Sequence, residues 1–261
     1  MSFRHHPIGL FDSGLGGLTV MREVLRALPY EHLIYFGDTA NLPYGNKSPE
    51  AVIRCTLSNA DFFLKHRVKL LIVACFTAST HALPILEQHL KIPVVGVASC
   101  GLNELVLSTQ TKQVALLATA STIRSGILQS LILRQDPSLS VFSVPCPLFV
   151  PFIEEGLSDH EALHSVAQHY LHPLKDKQVD AALLACTHYP LIRPVVQRAF
   201  GAHVRLIEPV AICASEVQKH LTALDLLNPC KEAPNYQFYA TDELERFQLR
   251  ARSFLESNRL V

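Results

Sequence analysis

The sequence of 261 residues carries no net charge, because 23 Lys and Arg residues balance 23 Asp and Glu residues, and no basic stripe marks a nucleic-acid partner. Hydrophobic residues make up 49% of the chain and charged residues 18%, which is enough apolar material for one large hydrophobic core or two of medium size. Because no apolar run reaches about 18 residues and no signal-peptide core precedes the first strand, we expect no membrane span and a cytoplasmic protein.

Short apolar runs alternate with longer segments of helical periodicity along nearly the whole chain. This alternation is typical of βαβ units, which build parallel sheets. Residues 70–74 are apolar at consecutive positions, as expected when helices cover both faces of a sheet. The strands predicted in this way span residues 8–12, 32–37, 69–75, 93–98, 113–119, 140–145, 180–186 and 204–208.

Helices are predicted in the intervals between these strands. Leu18, Met21 and Leu25 share one helical face, and Pro29 ends this run. A serine followed by a proline at 48–49 marks the start of a second helix, because serine is a good N-cap and proline is favoured at the first helical position. Further helices are predicted near 122–134, 159–172, 190–200, 211–222 and 243–256.

A glycine-rich segment, residues 12–17 (DSGLGG), separates the first strand from the first helix. It is neither a phosphate loop, since GxxxxGK[ST] is absent, nor a dinucleotide fingerprint, since its spacing is GxGG. Its glycines permit tight turning, and the helix N-terminus beyond it offers free N–H groups for an anion. A plain strand-to-helix turn and a site for a substrate carboxylate both remain open.

Two strand ends share one sequence pattern, an apolar run closing in Ala-Cys with a threonine nearby, at Cys75 and at Cys186. Each is expected to lead into a helix with an early proline, Pro84 or Pro190. The repetition suggests two similar α/β halves related by a pseudo-two-fold axis. Chance similarity between two buried strands is the alternative.

The cysteine count and spacing indicate no disulfide framework and no metal site. The number of cysteines is odd, seven, and no CxxC pair occurs, so we expect neither a disulfide framework nor a zinc site. A lone cysteine is most often a small buried hydrophobic residue. We expect that packing role for Cys55, Cys100, Cys146, Cys213 and Cys230.

Polar residues gather where the predicted strands end, and ligands of open parallel sheets bind beyond those ends. Two thiols there suit stereoinversion, because one can take the α-proton from one face of an amino acid while the other returns a proton to the opposite face. His188 could supply a cation or a proton relay beside Cys186, and Asp12 could accept or orient a proton beside Cys75. A buried structural histidine is the alternative role for His188.

Five motifs resemble, in the same order, those of the glutamate racemases in the aspartate/glutamate racemase superfamily. They lie at residues 12–17, 37–45, 72–79, 147–156 and 184–191. The resemblance implies an α/β fold of two similar domains, each a mostly parallel sheet flanked by helices, related by a pseudo-two-fold with the active site between them. The first domain would comprise residues 1–98 plus 211–261, and the second residues 99–210.

The resemblance also implies an activity, the interconversion of L- and D-glutamate without PLP or metal, which supplies D-glutamate for peptidoglycan. Glutamate would be the partner, with no nucleic acid and no membrane; a homodimer is left open. Cys75 and Cys186 would be the acid/bases, assisted by Asp12 and His188, with Glu154 or Glu155 nearby. The residues expected to contact the substrate are Ser13, Pro43, Tyr44, Gly45, Phe76, Thr77, Thr119, Thr122 and Thr187.

Three departures from the family pattern concern the substrate and not the cysteines. Phe76 stands where the family has asparagine, and the loss of one hydrogen bond to a charged ligand would cost about 1.5–3 kcal/mol. Residues 118–122 lack flanking glycines, and residues 207–209 read Ile-Glu-Pro. Two alternatives therefore stay open: a racemase for a related acid such as aspartate, and a catalytically silent descendant that serves as a binding or regulatory module. The second cysteine argues against the silent module.

Overall fold

The computed structural model describes residues 3–255 and contains two parallel β-sheets flanked by helices. The first sheet has the strand order β4-β3-β1-β2-β9, with every neighbouring pair parallel. The bounds of its strands are Ile8–Asp12 (β1), Leu33–Gly37 (β2), Leu70–Val73 (β3), Val94–Gly96 (β4) and Tyr236–Ala240 (β9).

The second sheet is also parallel throughout, with the order β6-β5-β7-β8. Its strands are Gln113–Ala118 (β5), Ser140–Pro145 (β6), Ala181–Ala185 (β7) and Arg205–Ile207 (β8). The central strands β1, β3, β5 and β7 are almost wholly buried. This burial explains their consecutive apolar residues, since helices cover both faces.

Helices fill the connections between the strands. Their bounds are Leu18–Ala27 (α1), Pro49–Lys65 (α2), Phe76–His89 (α3), Leu102–Ser108 (α4), Ala120–Ser125 (α5), Ile127–Gln135 (α6), Phe149–Glu154 (α7), Glu161–Leu171 (α8), Arg193–Phe200 (α9), Pro209–Ala223 (α10) and Leu244–Leu255 (α11). Helix α2 begins as predicted, because Ser48 caps it by accepting a hydrogen bond from the Ala51 amide at 3.3 Å.

The eight predicted strands are confirmed, with differences of one or two residues at several ends. The structure corrects other expectations. The helix predicted near 122–134 is two helices, because Gly126 between α5 and α6 has a φ of +66°. Pro84 is not an early proline but lies inside α3. Strand β9 was not predicted, and neither were the short helices α4 and α7.

The two sheets approach each other at the loop between β1 and α1. The Thr19 hydroxyl donates a hydrogen bond to the Thr187 carbonyl oxygen at 2.9 Å, which joins α1 to the segment after β7. A Cβ atom at Gly16 would collide with the side chains of Thr187 and His188. Glycine at this position therefore permits the close contact that brings the carboxyl ends of both sheets to one site.

No helix within residues 3–255 is long and apolar enough to cross a membrane. We keep the division of the chain into residues 1–98 with 211–261 and residues 99–210 as a proposal. It would assign β1–β4 and β9 to one domain and β5–β8 to the other.

Candidate active site

A cavity of about 250 Å³ lies where strands of both sheets end. Cys75, after β3, and Cys186, after β7, both line it. The cavity is also lined by Ser13, Leu42, Pro43, Tyr44, Gly45, Asn46, Phe76, Thr77, Thr119, Pro147, Val150, Pro151, Glu154, Glu155, Thr187 and His188. Hence the two cysteines share one cavity although they belong to different sheets.

Cys75 is the N-cap residue of α3 and is buried. Its Sγ lies 3.4 Å from the Ser13 hydroxyl. Burial and the nearby Asp12 carboxylate raise the pKa of the Cys75 thiol to about 12, against hydrogen bonds from Ser13 and the Ala78 amide that favour the thiolate. The raised pKa favours the thiol form of Cys75 at neutral pH.

Cys186 has a different neighbour. Its Sγ lies 3.8 Å from Nδ1 of His188, and Nε2 of His188 donates a hydrogen bond to Glu154 Oε1 at 2.9 Å. Burial opposes the charge on His188, but the contacts with Cys186 and Glu154 outweigh it and raise the pKa of His188 well above its usual value. A protonated His188 therefore places a positive charge beside the Cys186 Sγ.

Asp12 ends β1 and is fully buried behind the cavity wall. Its Oδ1 accepts a hydrogen bond from the Gly14 amide at 2.8 Å, and the Gly17 amide donates to the same carboxylate. Burial raises the pKa of Asp12, while the charge of His188 and the two amides act against that increase. Two N–H groups of the glycine-rich loop are thus used by the protein's own carboxylate.

Three threonine hydroxyls meet on another side of the cavity. Thr77 Oγ1, from α3, lies 3.0 Å from Thr119 Oγ1 and 3.3 Å from Thr122 Oγ1. Thr119 also donates to Thr122 at 3.1 Å. Because each hydroxyl can both donate and accept, the cluster can rearrange its hydrogen bonds around a polar ligand.

The wall formed by Pro43, Tyr44 and Gly45 is held from behind by Asp38. The Tyr44 hydroxyl donates to Asp38 Oδ2 at 2.5 Å, and Asn59 Nδ2 donates to the same oxygen at 3.0 Å. Burial, followed by the hydrogen bond to Asp38, raises the pKa of Tyr44, so its proton stays on the phenol. This arrangement fixes the loop that forms one side of the cavity.

Phe76 and Glu155 both line the cavity but differ in burial and polarity. Phe76 is buried at the start of α3 and gives the cavity an apolar wall beside Cys75. Glu155 lies at the cavity edge and accepts a hydrogen bond from Arg246 Nη2 at 2.7 Å, largely exposed to solvent. Glu154, the neighbour of Glu155, is the carboxylate that contacts His188.

The structure brings thirteen of the fifteen residues proposed from the sequence to the cavity wall, and Asp12 and Thr122 stand directly behind it. Sequence reasoning missed the apolar lining by Leu42, Val150 and Pro151. It also missed Phe254 on α11, whose ring centroid lies 5.7 Å from that of His188. No group of three or more metal-binding side chains lies within the described residues 3–255.

The chain resembles known proteins along most of its length. Residues 8–217 match the family described as Asp/Glu/Hydantoin racemase. Glutamate racemase of Geobacter metallireducens is 45% identical over 235 residues, which cover 90% of this chain and 87% of that protein.

Solved structures show the same similarity in three dimensions. Glutamate racemase of Francisella tularensis, crystallised with D-glutamate, aligns with a TM-score of 0.91 at 36% identity, covering 98% of this chain and 96% of that one. A glutamate racemase isoform of Bacillus anthracis aligns with a TM-score of 0.93 at 31% identity, covering 97% and 95%. The similarity therefore extends over both sheets.

Proposed function

This chain belongs to the Asp/Glu/hydantoin racemase family and is an isomerase, and we propose that it interconverts L- and D-glutamate through the thiols of Cys75 and Cys186. The observation that carries the mechanism is that both thiols line one cavity and come from different sheets. A substrate between them can lose a proton to one thiolate and receive a proton from the other thiol. Neither PLP nor a metal takes part in this proposal.

In one direction, the Cys186 thiolate removes the α-proton, which breaks the C–H bond and forms an S–H bond. The electron pair is delocalised into the substrate carboxylate, and the Cys75 thiol then protonates the α-carbon on the other face. Cys75 is left as a thiolate, and the reverse reaction starts from that state. The surroundings of the two thiols support this assignment, because Cys75 has a raised pKa and His188 places a positive charge beside Cys186.

We assign supporting roles to the neighbours of the two thiols. His188 stabilises the Cys186 thiolate and is oriented by Glu154. Asp12 acts behind Cys75, where its carboxylate, whose pKa is raised by burial, can accept or orient a proton beside the thiol. Ser13, Thr187 and the threonine cluster provide hydroxyl groups that can bind the carboxylates and the ammonium group of an amino acid.

Glutamate as substrate is supported by the relatives, one of which was crystallised with D-glutamate. Supply of D-glutamate for peptidoglycan and a cytoplasmic location are proposals that follow from the same resemblance. The test is circular dichroism of L-glutamate incubated with the reduced protein. We expect the signal to decay to zero as the racemate forms; an unchanged signal would refute the proposal.

Phe76 supports a second candidate, a racemase for a related acid such as aspartate, because an apolar ring narrows the cavity beside Cys75. A panel of L-amino acids assayed for inversion separates the two candidates. If glutamate is the substrate, Phe76→Asn should raise kcat/KM for glutamate by about tenfold or more, since an amide adds hydrogen bonds worth about 1.5–3 kcal/mol to a charged ligand. Faster inversion of aspartate by the unmodified protein would favour the second candidate.

A further inference from the structure

Helix α11 packs one apolar face against the protein core. Phe247, Ala251, Phe254 and Leu255 are buried, at spacings that fall on one side of a helix. The Phe247 ring lies 5.8 Å from the ring of Tyr35 on β2, so this part of the helix is held by the first sheet. The next turns of α11 place the same apolar face close to the segment that follows β7 of the second sheet.

Phe254, near the end of α11, meets His188. The two ring centroids are 5.7 Å apart and the ring planes are nearly perpendicular, at 89°. Phe254 is 1% exposed and does not line the cavity. It is thus the apolar neighbour of an imidazole ring whose two nitrogens face Cys186 and Glu154.

The polar side of α11 contacts the segment that carries Glu154. Arg246 donates to Glu155, and the Arg250 guanidinium packs so closely on Gly156 that a Cβ atom there would collide with it. Gly156 also has a φ of +77°, a conformation that glycine adopts without strain. One helix therefore contacts both His188 and the loop of its hydrogen-bond partner.

We propose that Phe254 is a positioning residue, which holds the His188 ring between Cys186 and Glu154 and keeps water away from it. This inference rests on the proposed function. Through each turnover His188 keeps both ring protons: the Nδ1 proton faces Cys186 Sγ, which exchanges its own proton only with the substrate α-carbon and solvent, and the Nε2 proton stays in the bond to Glu154.

The surroundings of His188 explain why an aromatic ring suits this position. Cys186 and Glu154 face its nitrogens, and Asp12 adds negative charge from the end of β1. A cation over the face of an aromatic ring is stabilised by the ring's quadrupole, and the perpendicular arrangement of the two rings is compatible with the imidazolium edge pointing at the Phe254 face; an aliphatic side chain would only exclude water. Leucine at position 254 would keep the apolar cover and remove the ring.

The experiment compares Phe254→Leu with Phe63→Leu. Phe63 is also fully buried, but it packs in the cluster beneath α2 and does not line the cavity. The two variants share the same loss of a buried ring, so their difference isolates the contact with His188. Two readouts are taken: kcat and KM for L-glutamate, and the rates at which iodoacetamide alkylates Cys186 and Cys75, separated by peptide mass spectrometry.

For Phe254→Leu we expect a fall in kcat of about tenfold with KM within twofold, and a fall of about threefold or more in the alkylation rate of Cys186 at pH 8. The alkylation rate of Cys75 in the same protein should change by less than twofold. In Phe63→Leu, kcat and the alkylation rates of both thiols should stay within twofold of those of the unmodified protein. Equal alkylation of Cys186 in Phe254→Leu and the unmodified protein would overturn the inference. So would a parallel change at Cys75, which indicates general loosening.

The alkylation readout separates this inference from the proposed function. If the unmodified protein does not invert glutamate, the proposed function is wrong. The ratio of the Cys186 and Cys75 rates still decides whether Phe254 positions His188, because alkylation needs no substrate turnover.

Discussion

The two cysteine-bearing strand ends are alike in sequence and unlike in their surroundings. Cys75 caps a long helix beside Ser13 and a buried carboxylate, and its pKa is raised to about 12. Cys186 precedes a short turn and lies beside His188, whose pKa is also raised, so a positive charge stands next to this thiol. The repeated motif therefore places one thiol where its pKa is raised and the other beside a positively charged imidazole.

In the proposed mechanism, this difference gives the two thiols different electrostatic surroundings for one reversible reaction. Each thiol acts in turn as base and as acid in that mechanism, and formation of the Cys75 thiolate is opposed by burial and by the charge of Asp12. Asp12 near Cys75 and His188 beside Cys186 are the charged neighbours that distinguish the two thiols. Variants of the cysteines, of these neighbours and of the residues that hold them test whether the two thiols differ in this way.

The largest effect is expected from Cys75→Ala and Cys186→Ala. Each variant removes one of the two acid/bases, and we expect racemisation to fall by about 10⁴-fold, the upper end of what a positioned acid or base contributes. The rate of inversion is measured by circular dichroism. Cys55→Ala, at a half-buried cysteine outside the cavity wall, should keep the full rate. Activity above one-tenth in either cavity variant would contradict a two-thiol mechanism.

His188→Gln should lower kcat by about 10²–10³-fold, because the charge beside Cys186 is lost. The pH profile checks the cause. A raised pKa keeps the imidazolium present through neutral pH and loses it as the pH rises through the raised value, so the unmodified protein should show a falling alkaline limb that the variant lacks. His81→Gln, a half-buried histidine that bonds Ser121, serves as the control. If the alkaline limb of the pH profile persists in His188→Gln, the titration of another group causes it.

Substitution of the adjacent residues Glu154 and Glu155 should lower kcat by different amounts. Glu154→Gln weakens a hydrogen bond to a charged partner, for which about 1.5–3 kcal/mol predicts a fall in kcat of roughly 10–100-fold. Glu155→Gln breaks an exposed ion pair with Arg246, and such pairs contribute little, so kcat should stay within about twofold. Kinetics on L-glutamate measure both. Equal effects of the two variants would show that the contact with His188 is not what matters.

The smallest effect is expected in thiol reactivity. In Asp12→Asn the negative charge near Cys75 is removed, so the pKa of Cys75 should fall and its alkylation by iodoacetamide at pH 9 should rise by about threefold. Cys186 in the same sample is the internal control. A slower reaction at Cys75 would mean that the carboxylate helps to form the thiolate instead of opposing it.

Much of the fold could be predicted from sequence because buried parallel strands carry uninterrupted apolar runs. Strand β9 was not predicted because it is a half-exposed edge strand in which Gln237 interrupts aromatic residues. The helix break at Gly126 was not predicted because a glycine in a helical pattern is ambiguous until its φ is known. Such local features depend on tertiary packing that the pattern does not contain.

The site was predictable as far as polar residues follow strand ends. The segment 12–17 showed the limit of that reasoning, since two of its amides bind Asp12. The role of Phe254 could not be foreseen, because an apolar residue on an amphipathic helix is normally core, and only the path of α11 brings it to His188. The pairing of Glu154 and not Glu155 with His188 likewise depends on the orientation of α7.

The most direct test of two thiols acting on opposite faces is racemisation of L-glutamate in ²H₂O, stopped before about a tenth has reacted. Mass spectrometry of the separated enantiomers gives the deuterium at the α-carbon. We expect one deuterium in each D-glutamate formed and none in the remaining L-glutamate, because each thiol exchanges protons with solvent and serves only one face. Deuterium in the remaining L-glutamate, or D-glutamate that retains the original proton, would indicate a single base and contradict the two-thiol mechanism.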